Sequence, residues 1–439
     1  MKQSISRGFI LAAGFSLVLA GVLVGCQRRA SSGTAGNPSS LKGTITYWYN
    51  QDWEDANKQL LDAFSKAYPN ITVNATGFTY DTFIEKIRAA YSAGEESDVQ
   101  QVFGDWASDL MKHKRLAQVP KDYAEQLKKR LFDTTLGGYT HEGVLYGVPK
   151  EYNIECGGVL YYPADLKKVG YNEFPKTFSE LMDAAKKLTR YDTKGNPIHW
   201  GFDFMTTDNI PYLLLSFILQ QNGSYWAADK IHVKFTTPEA QKALQAMADM
   251  VLKDKVTEIK HLSDTNNDAS NYFFKGDSSM CFRGPWVIPV GTGEFELDNF
   301  AYGPMPSFTG ASKAFAAESG WGEVVSAKTK NADSAWAFVR FISSPESHTL
   351  WTTVTNTIPS EKSVAESKEF LQSNPMIKVS LDVLPYGQPI GPLQSIDTFK
   401  SQIVVNNFTS LCTGGQDVAT TLRKIEEETN KMIDEIRAQ

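Results

Sequence analysis

Residues 44–53 read TITYWYNQDW, and residues 98–106 read DVQQVFGDW. In each stretch an apolar, β-prone run gives way to a polar Asp-Trp pair. The β-branched and aromatic residues at 44–49 predict a strand. Leu60, Leu61, Phe64 and Ala67 then recur at helical spacing until Pro69, which cannot continue a helix. Residues 71–75 alternate as a second strand. Phe83, Ile84, Ile87 and Tyr91 mark a second helix ended by Gly94, residues 98–103 form a third strand, and a helix follows from about Ala107. Strands alternating with helices of this length predict βαβ units, a mostly parallel sheet and an α/β fold. Ligands of such sheets bind beyond the carboxyl ends of the strands.

Both Asp-Trp pairs stand at such ends. The first strand runs into Asn50, Asp52 and Trp53, and the third into Asp105 and Trp106. One pair alone reads as a helix cap followed by a packing residue, and Asp105 suits that role. Two pairs in equivalent positions favour a site. An aromatic face packs on the C–H face of a sugar ring, while a carboxylate or amide accepts bonds from its hydroxyls. An anion would instead call for Arg, Lys or a helix N-terminus.

Upstream, residues 18–29 read VLAGVLVGCQRR. Lys2 and Arg7 precede a short apolar core, and small residues lead to Cys26, the pattern of a bacterial lipoprotein signal. The run is too short and glycine-rich for a transmembrane helix. Residues 1–25 are expected to be cleaved, leaving Cys26 to carry lipid such as palmitate. Residues 26–40, with SSGTAGNPSS at 31–40, form a flexible tether. The chain is thus expected at the cell membrane, anchored by lipid on the extracytoplasmic face.

The remainder is long enough for two domains. Its net charge moves from -6 to -8 when Lys2 and Arg7 leave, and mixed signs along the chain argue against a nucleic-acid partner. Cys156, Cys281 and Cys412 make no disulfide framework; a Cys156–Cys281 bridge is possible but not deducible. Aromatics reach 12%, with nine tryptophans, of which Trp200, Trp336 and Trp351 are assigned to the core. Catalytic signatures are missing: no serine elbow, phosphate loop, dinucleotide loop or Cys-x-x-Cys. His141-Glu142 does not extend to a zinc motif, and DTNND at 264–268 lacks the glycine and glutamate of a calcium loop. No cofactor or metal is expected and the chain is read as a non-enzyme, although paired carboxylates meeting in space would suit a glycosidase.

Further fragments carry a resemblance: GVLYGVP (143–149), GVLYY (158–162), PKTFSEL (175–181), FFKGDSSM (273–280), GPW (284–286), GWG (320–322), AWAFVRFI (335–342) and SPE (344–346). In this order and spacing, over nearly the whole mature chain, the sequence resembles the family 1 extracellular solute-binding proteins of bacterial ABC importers, in the sugar-binding group that includes maltose-binding proteins. Tyr162-Pro163 departs from the family's usual Tyr-Asn. The resemblance implies a two-lobe α/β fold with hinge crossings near 153–157, 297–303 and 342–347. The first lobe would span 41–153, the second 154–299, with returns to the first at 300–344 and to the second at 345–439. A monomer would close on its ligand and deliver it to permease subunits in the membrane.

Carried over residue by residue, the cleft would take Asn50, Asp52, Trp53, Asp105, Trp106 and Trp321 from the first lobe. Glu151, Tyr152 and Asn153 would lie at the crossing. Trp226, Arg283 and Trp286 would come from the second lobe. Trp286 could be a core anchor instead, but Arg-Gly-Pro before it signals a turn, which favours the site. Arg283 would pair with Asp105 or Glu151, or meet a ligand carboxylate, leaving neutral and uronate sugars both open. Trp286 and Trp321 are expected to stack on sugar rings.

Overall fold

The computed structural model describes residues 40–152, 157–264, 268–317, 320–391, 393 and 395–438. Residues 1–39, which include the expected signal peptide, Cys26 and nearly all of the expected tether, lie outside the described residues, as do Asn153 and Cys156.

The opening stretch folds as its pattern predicts. Strand β1 (Gly43–Asn50) leads through a 3-10 turn, Gln51–Trp53, into helix α1 (Glu54–Ala67). Then follow β2 (Ile71–Phe78), α2 (Tyr80–Ala93, ended by Gly94), β3 (Val99–Phe103) and α3 (Gly104–Lys112). The third helix starts at Gly104 rather than near Ala107, directly off the strand. β1 pairs in parallel with β2 from Gly43 opposite Ile71 to Asn50 opposite Phe78, and in parallel with β3.

Short strands β4 (Gly147–Pro149) and β5 (Glu151–Tyr152) precede the undescribed residues 153–156, after which β6 (Gly158–Tyr161) begins a second sheet. Helix α4 (Phe178–Leu188) starts on a capping box: the Thr177 hydroxyl accepts from the Glu180 N–H at 3.2 Å, and the Glu180 carboxylate accepts from the Thr177 N–H at 2.9 Å. The PKTFSEL fragment is therefore a helix start. Helix α5 (Asn209–Leu219) is apolar and buried on nearly every side. Strands β7 (Met280–Phe282) and β8 (Ala301–Pro304) flank β6, both antiparallel to it.

The chain rejoins the first sheet at β9 (Trp321–Val325), which runs antiparallel between β3 and β4. The first sheet has the order β2-β1-β3-β9-β4 and is mixed rather than mostly parallel. The reason is that β9 enters from the second sheet rather than through a βαβ crossover. Residues 301–304, placed by sequence at a crossing, form a strand of the second sheet, and the return to the first runs between Pro304 and Trp321.

Helix α6 (Ala332–Ile342) covers the first sheet, with Phe338 meeting Tyr47 and Phe64 edge-on, each at 5.0 Å. Trp336 on this helix is only half-buried, so it anchors the core less than its amphipathic pattern suggested. Helix α7 (Pro345–Thr355) packs on α1 and carries fully buried Trp351, and β10 (Ile358–Pro359) pairs with β5. Trp200 is buried as expected. The long α8 (Val418–Ala438) closes the described chain. Among the described residues no helix is long and apolar enough to cross a membrane.

Candidate ligand-binding cleft

At the end of β1, Asn50 is buried and holds the turn on both sides. Its N–H donates to the Gln101 side chain of β3 at 3.0 Å, and its Oδ1 accepts from the Asp52 N–H at 3.1 Å. That cap turns the chain sharply, leaving Asp52 exposed and Trp53 half-buried. These three residues form one side of a cavity of about 310 Å3. Tyr80 and Phe103, from the starts or ends of neighbouring elements, line it with Trp321 and Glu151. Asp208, Arg283 and Trp286 come from the side of the second sheet.

The GPW turn explains how Trp286 arrives there. Pro285–Val287 forms one 3-10 turn after β7, and the Trp286 ring lies back over Gly284. A Cβ at Gly284 would stand 1.6 Å from the ring, so the position tolerates no side chain. Trp286 remains half-buried, with the Arg283 guanidinium 5.8 Å from its ring centre. A second tight approach sets Trp321: Gly320 has φ +74°, and a Cβ there would be 2.6 Å from the Glu151 carbonyl oxygen.

Two of the four charged residues that line the cavity, Arg283 and Asp208, are ion-paired. Arg283 bonds Asp268 at 3.1 Å, a partner that the sequence reading did not name. Asp268 is thereby held below the usual carboxylate range against the opposing effect of burial. Asp208 meets Lys400 at 2.8 Å; burial works to raise its carboxyl, but Lys400 and then Arg283 outweigh it and hold it low. Glu151 differs. It is fully buried, its Oε2 accepts from the Trp351 indole N–H at 2.6 Å, and its Oε1 meets no donor in hydrogen-bond geometry among the described residues. Burial pushes its carboxyl up, more than the nearby Trp351 and Thr357 side chains and the Lys150 charge pull it down. Lys150 is itself committed to Glu323 at 2.5 Å, both fully buried, and lies 4.1 Å over the Trp351 ring.

The structure thus brings together Asn50, Asp52, Trp53, Glu151, Arg283, Trp286 and Trp321. It does not bring the others. Trp106 is 6% exposed and packs edge-on against Trp321 at 5.2 Å and Phe83 at 6.2 Å. Asp105 turns to α5, accepting from the Tyr212 hydroxyl at 3.3 Å, and lines a neighbouring cavity of about 210 Å3. Tyr152 is a buried core residue, because β5 alternates and Glu151 takes the cleft side. The Trp226 indole N–H donates to the Ile390 carbonyl at 2.9 Å, so its ring holds the chain at 390–391 in place. Trp321 lines the cavity yet is 3% exposed, with Phe103, Trp106 and Phe83 around it. Little of its face is open for stacking.

Sequence reasoning missed Tyr80, Phe103 and Asp208. Tyr80 follows the end of β2 and Phe103 ends β3, so the rule used for β1 would have reached both. Asp208 precedes a helix far along the chain and carries no such signal.

Comparison with known proteins completes the picture. A multiple sugar-binding protein of Streptococcus mutans is 24% identical over 398 residues, covering 84% of this chain and 85% of that protein. A Deinococcus radiodurans protein named "Probable ABC transporter-binding protein" is 26% identical over 231 residues, and the match spans only 54% of its length. Among solved structures, maltose-bound MalE3 of T. maritima superposes with a TM-score of 0.75 at 20% identity, over 89% of this chain and 99% of that one. UgpB of Mycobacterium tuberculosis, in complex with glycerophosphocholine, gives 0.77 at 20% identity, over 91% and 100%. These likenesses establish the two-lobe binding-protein fold. The family model of the bacterial extracellular solute-binding proteins matches residues 59–379, and the chain belongs to that family.

Proposed function

We propose that the chain captures a carbohydrate in this cleft and delivers it to an ABC permease. The carrying observation is the pairing of surfaces in one cavity: half-buried Trp53 and Trp286 offer ring faces, and Asn50, Asp52 and Glu151 offer acceptors. That combination suits a polyol ring with one apolar face. The sugar-binding relative in Streptococcus mutans and the maltose complex of MalE3 support the same class. The cavity is at the small end of ligand sites, which run about 300–1,000 Å3. A glycerophosphodiester, as held by UgpB, is the second reading. It is less favoured because Arg283, the cation on the wall, already serves Asp268.

A thermal-shift screen over mono- and oligosaccharides, followed by calorimetry, tests the proposal. A binder leaves the sugar intact while its melting temperature rises by mass action. Cleavage of a saccharide would instead support a glycosidase built on Asp52 and Glu151, which share the cavity. A Ser–His contact elsewhere, Ser279 with His199 at 2.8 Å, is buried and lines none of the cavities named above.

The lipoprotein reading of Cys26 belongs to the same proposal, since a capture protein works beside its permease. Cys26→Ser should leave the signal uncut or release the protein, with sugar affinity of the soluble part unchanged. A processed Cys26→Ser chain still held on the membrane would defeat it.

A further inference from the structure

We infer that the preferred ligand carries a basic nitrogen: an amino-substituted saccharide, with uronates turned away. The inference rests on the saccharide reading of the cleft and refines it. Its ground is which charges in the cleft lack a partner.

Arg283 is matched by Asp268, Asp208 by Lys400 and, behind the floor, Lys150 by Glu323. Two charges remain, and both are negative. Asp52 is exposed at the rim, with no ion-pair partner among the described residues. Glu151 is fully buried, lines the cavity, and has one oxygen, Oε1, that meets no donor in hydrogen-bond geometry among the described residues. Lys150 lends it charge from nearby but is ion-paired with Glu323, and no hydrogen bond joins Lys150 to Glu151. A buried acceptor of this kind is satisfied only by something that enters the cavity.

A sugar hydroxyl would serve, but an ammonium adds the attraction of an opposite charge, which the low dielectric around a buried carboxylate strengthens. The walls point the same way. Trp53, Trp286, Tyr80 and Phe103 present aromatic rings, whose faces attract cations. A uronate would bring a further negative charge to a site whose lining cation is already taken.

The test is calorimetry on the mature chain with matched glucose oligosaccharides of one linkage and length. The three forms are neutral, 2-amino-substituted and uronate, repeated for α- and β-linked series at moderate salt. The amino form should bind at least about tenfold more tightly than the neutral one, and the uronate at least about tenfold more weakly. Glu151→Gln keeps an acceptor for Trp351 but removes the charge, and should shrink the amino-to-neutral ratio to within about threefold. Asp52→Asn, exposed and screened, should shrink it less. If Glu151→Gln does not fold, the wild-type ranking and Asp52→Asn still decide. A neutral or uronate form that binds tightest overturns the inference and leaves the saccharide reading standing. No binding by any form overturns the saccharide reading and this inference with it.

Discussion

The two Asp-Trp turns occupy matching places, three residues past the ends of neighbouring parallel strands, yet only the first borders the cavity of about 310 Å3. After β1 the chain makes a 3-10 turn, whereas after β3 it enters an α-helix at once. Three residues turn through about 360° at 3.0 per turn but about 300° at 3.6 per turn, so the two tryptophans leave the strand axis roughly 60° apart. Their neighbours complete the divergence. β3 has antiparallel β9 beside it, and Trp321 sits opposite Phe103, so its ring meets Trp106. The end of β1 has no such neighbour, and Trp53 touches Trp351 at 6.4 Å while the rest of it borders the cavity. Equivalent sequence gives equivalent function only where the second layer is equivalent too.

The widest separation between the turns should appear on truncation. Trp106→Ala opens a hole in an aromatic cluster and should cost about 3–5 kcal/mol of stability, with affinity kept in whatever remains folded. Trp321→Ala should cost a similar amount and weaken binding as well, since that ring belongs to both the cluster and the cavity. Chemical denaturation with calorimetry separates the two terms. A Trp106→Ala chain of normal stability that no longer binds would break the comparison.

Next in size are the rings that border the cavity. Trp53→Ala and Trp286→Ala should each weaken ligand binding by about 1–3 kcal/mol, roughly five- to 150-fold, with melting temperature little changed. If either unfolds the protein as readily as Trp106→Ala, the half-buried ring was holding the fold.

A smaller, pH-dependent effect sharpens the picture on the β1 side. Glu151 takes up a proton more readily than an ordinary carboxylate, mainly because it is buried. Its ionised form is the better acceptor for a ligand donor. Affinity should therefore fall as pH is lowered through its raised pKa, with Lys150, Glu323 and Asp52 as the surrounding charges. Glu151→Gln should flatten that profile, and an unchanged slope in the variant would remove Glu151 from the contact.

The smallest effect is a background term. His232 bonds Asp434 at 2.9 Å and Asp229 at 2.6 Å, and those bonds raise its pKa. Stability from this group is fully present below the ordinary histidine range near 6.5 and is lost as pH rises through the raised value. An NMR titration of His232 should give a midpoint above that range, lowered in Asp434→Asn. A midpoint at or below it rules the contribution out.

Much of this was legible in residues 44–106, because period and strand-end position are local properties. α1, α2 and the first three strands fall where the spacing of apolar residues puts them, and the turn at Asn50 borders a cavity at the strand ends. The direction of β9 was not legible, since it depends on where a chain of more than two hundred residues returns. For the same reason Trp106 and Trp226 could not be told from cleft residues: Trp321 and Ile390, which claim them, are remote in sequence. Arg283 was ambiguous until Asp268, fifteen residues upstream at a helix cap, proved to be its partner.

The buried ion pair of Lys150 and Glu323 has a further consequence for assembly. Glu323 stands opposite Val148 across the β9–β4 ladder, one step from the segment that carries Lys150. Side chains alternate along a strand, so a slip of one residue would turn one partner to the other face. Each charge would then be stranded in the interior, where breaking such a pair costs about 3–5 kcal/mol. A hydrophobic pair would lose its burial on such a slip but would strand no charge. Here the edge strand closes the sheet in one alignment, and the shape of the cleft beside it is fixed with it.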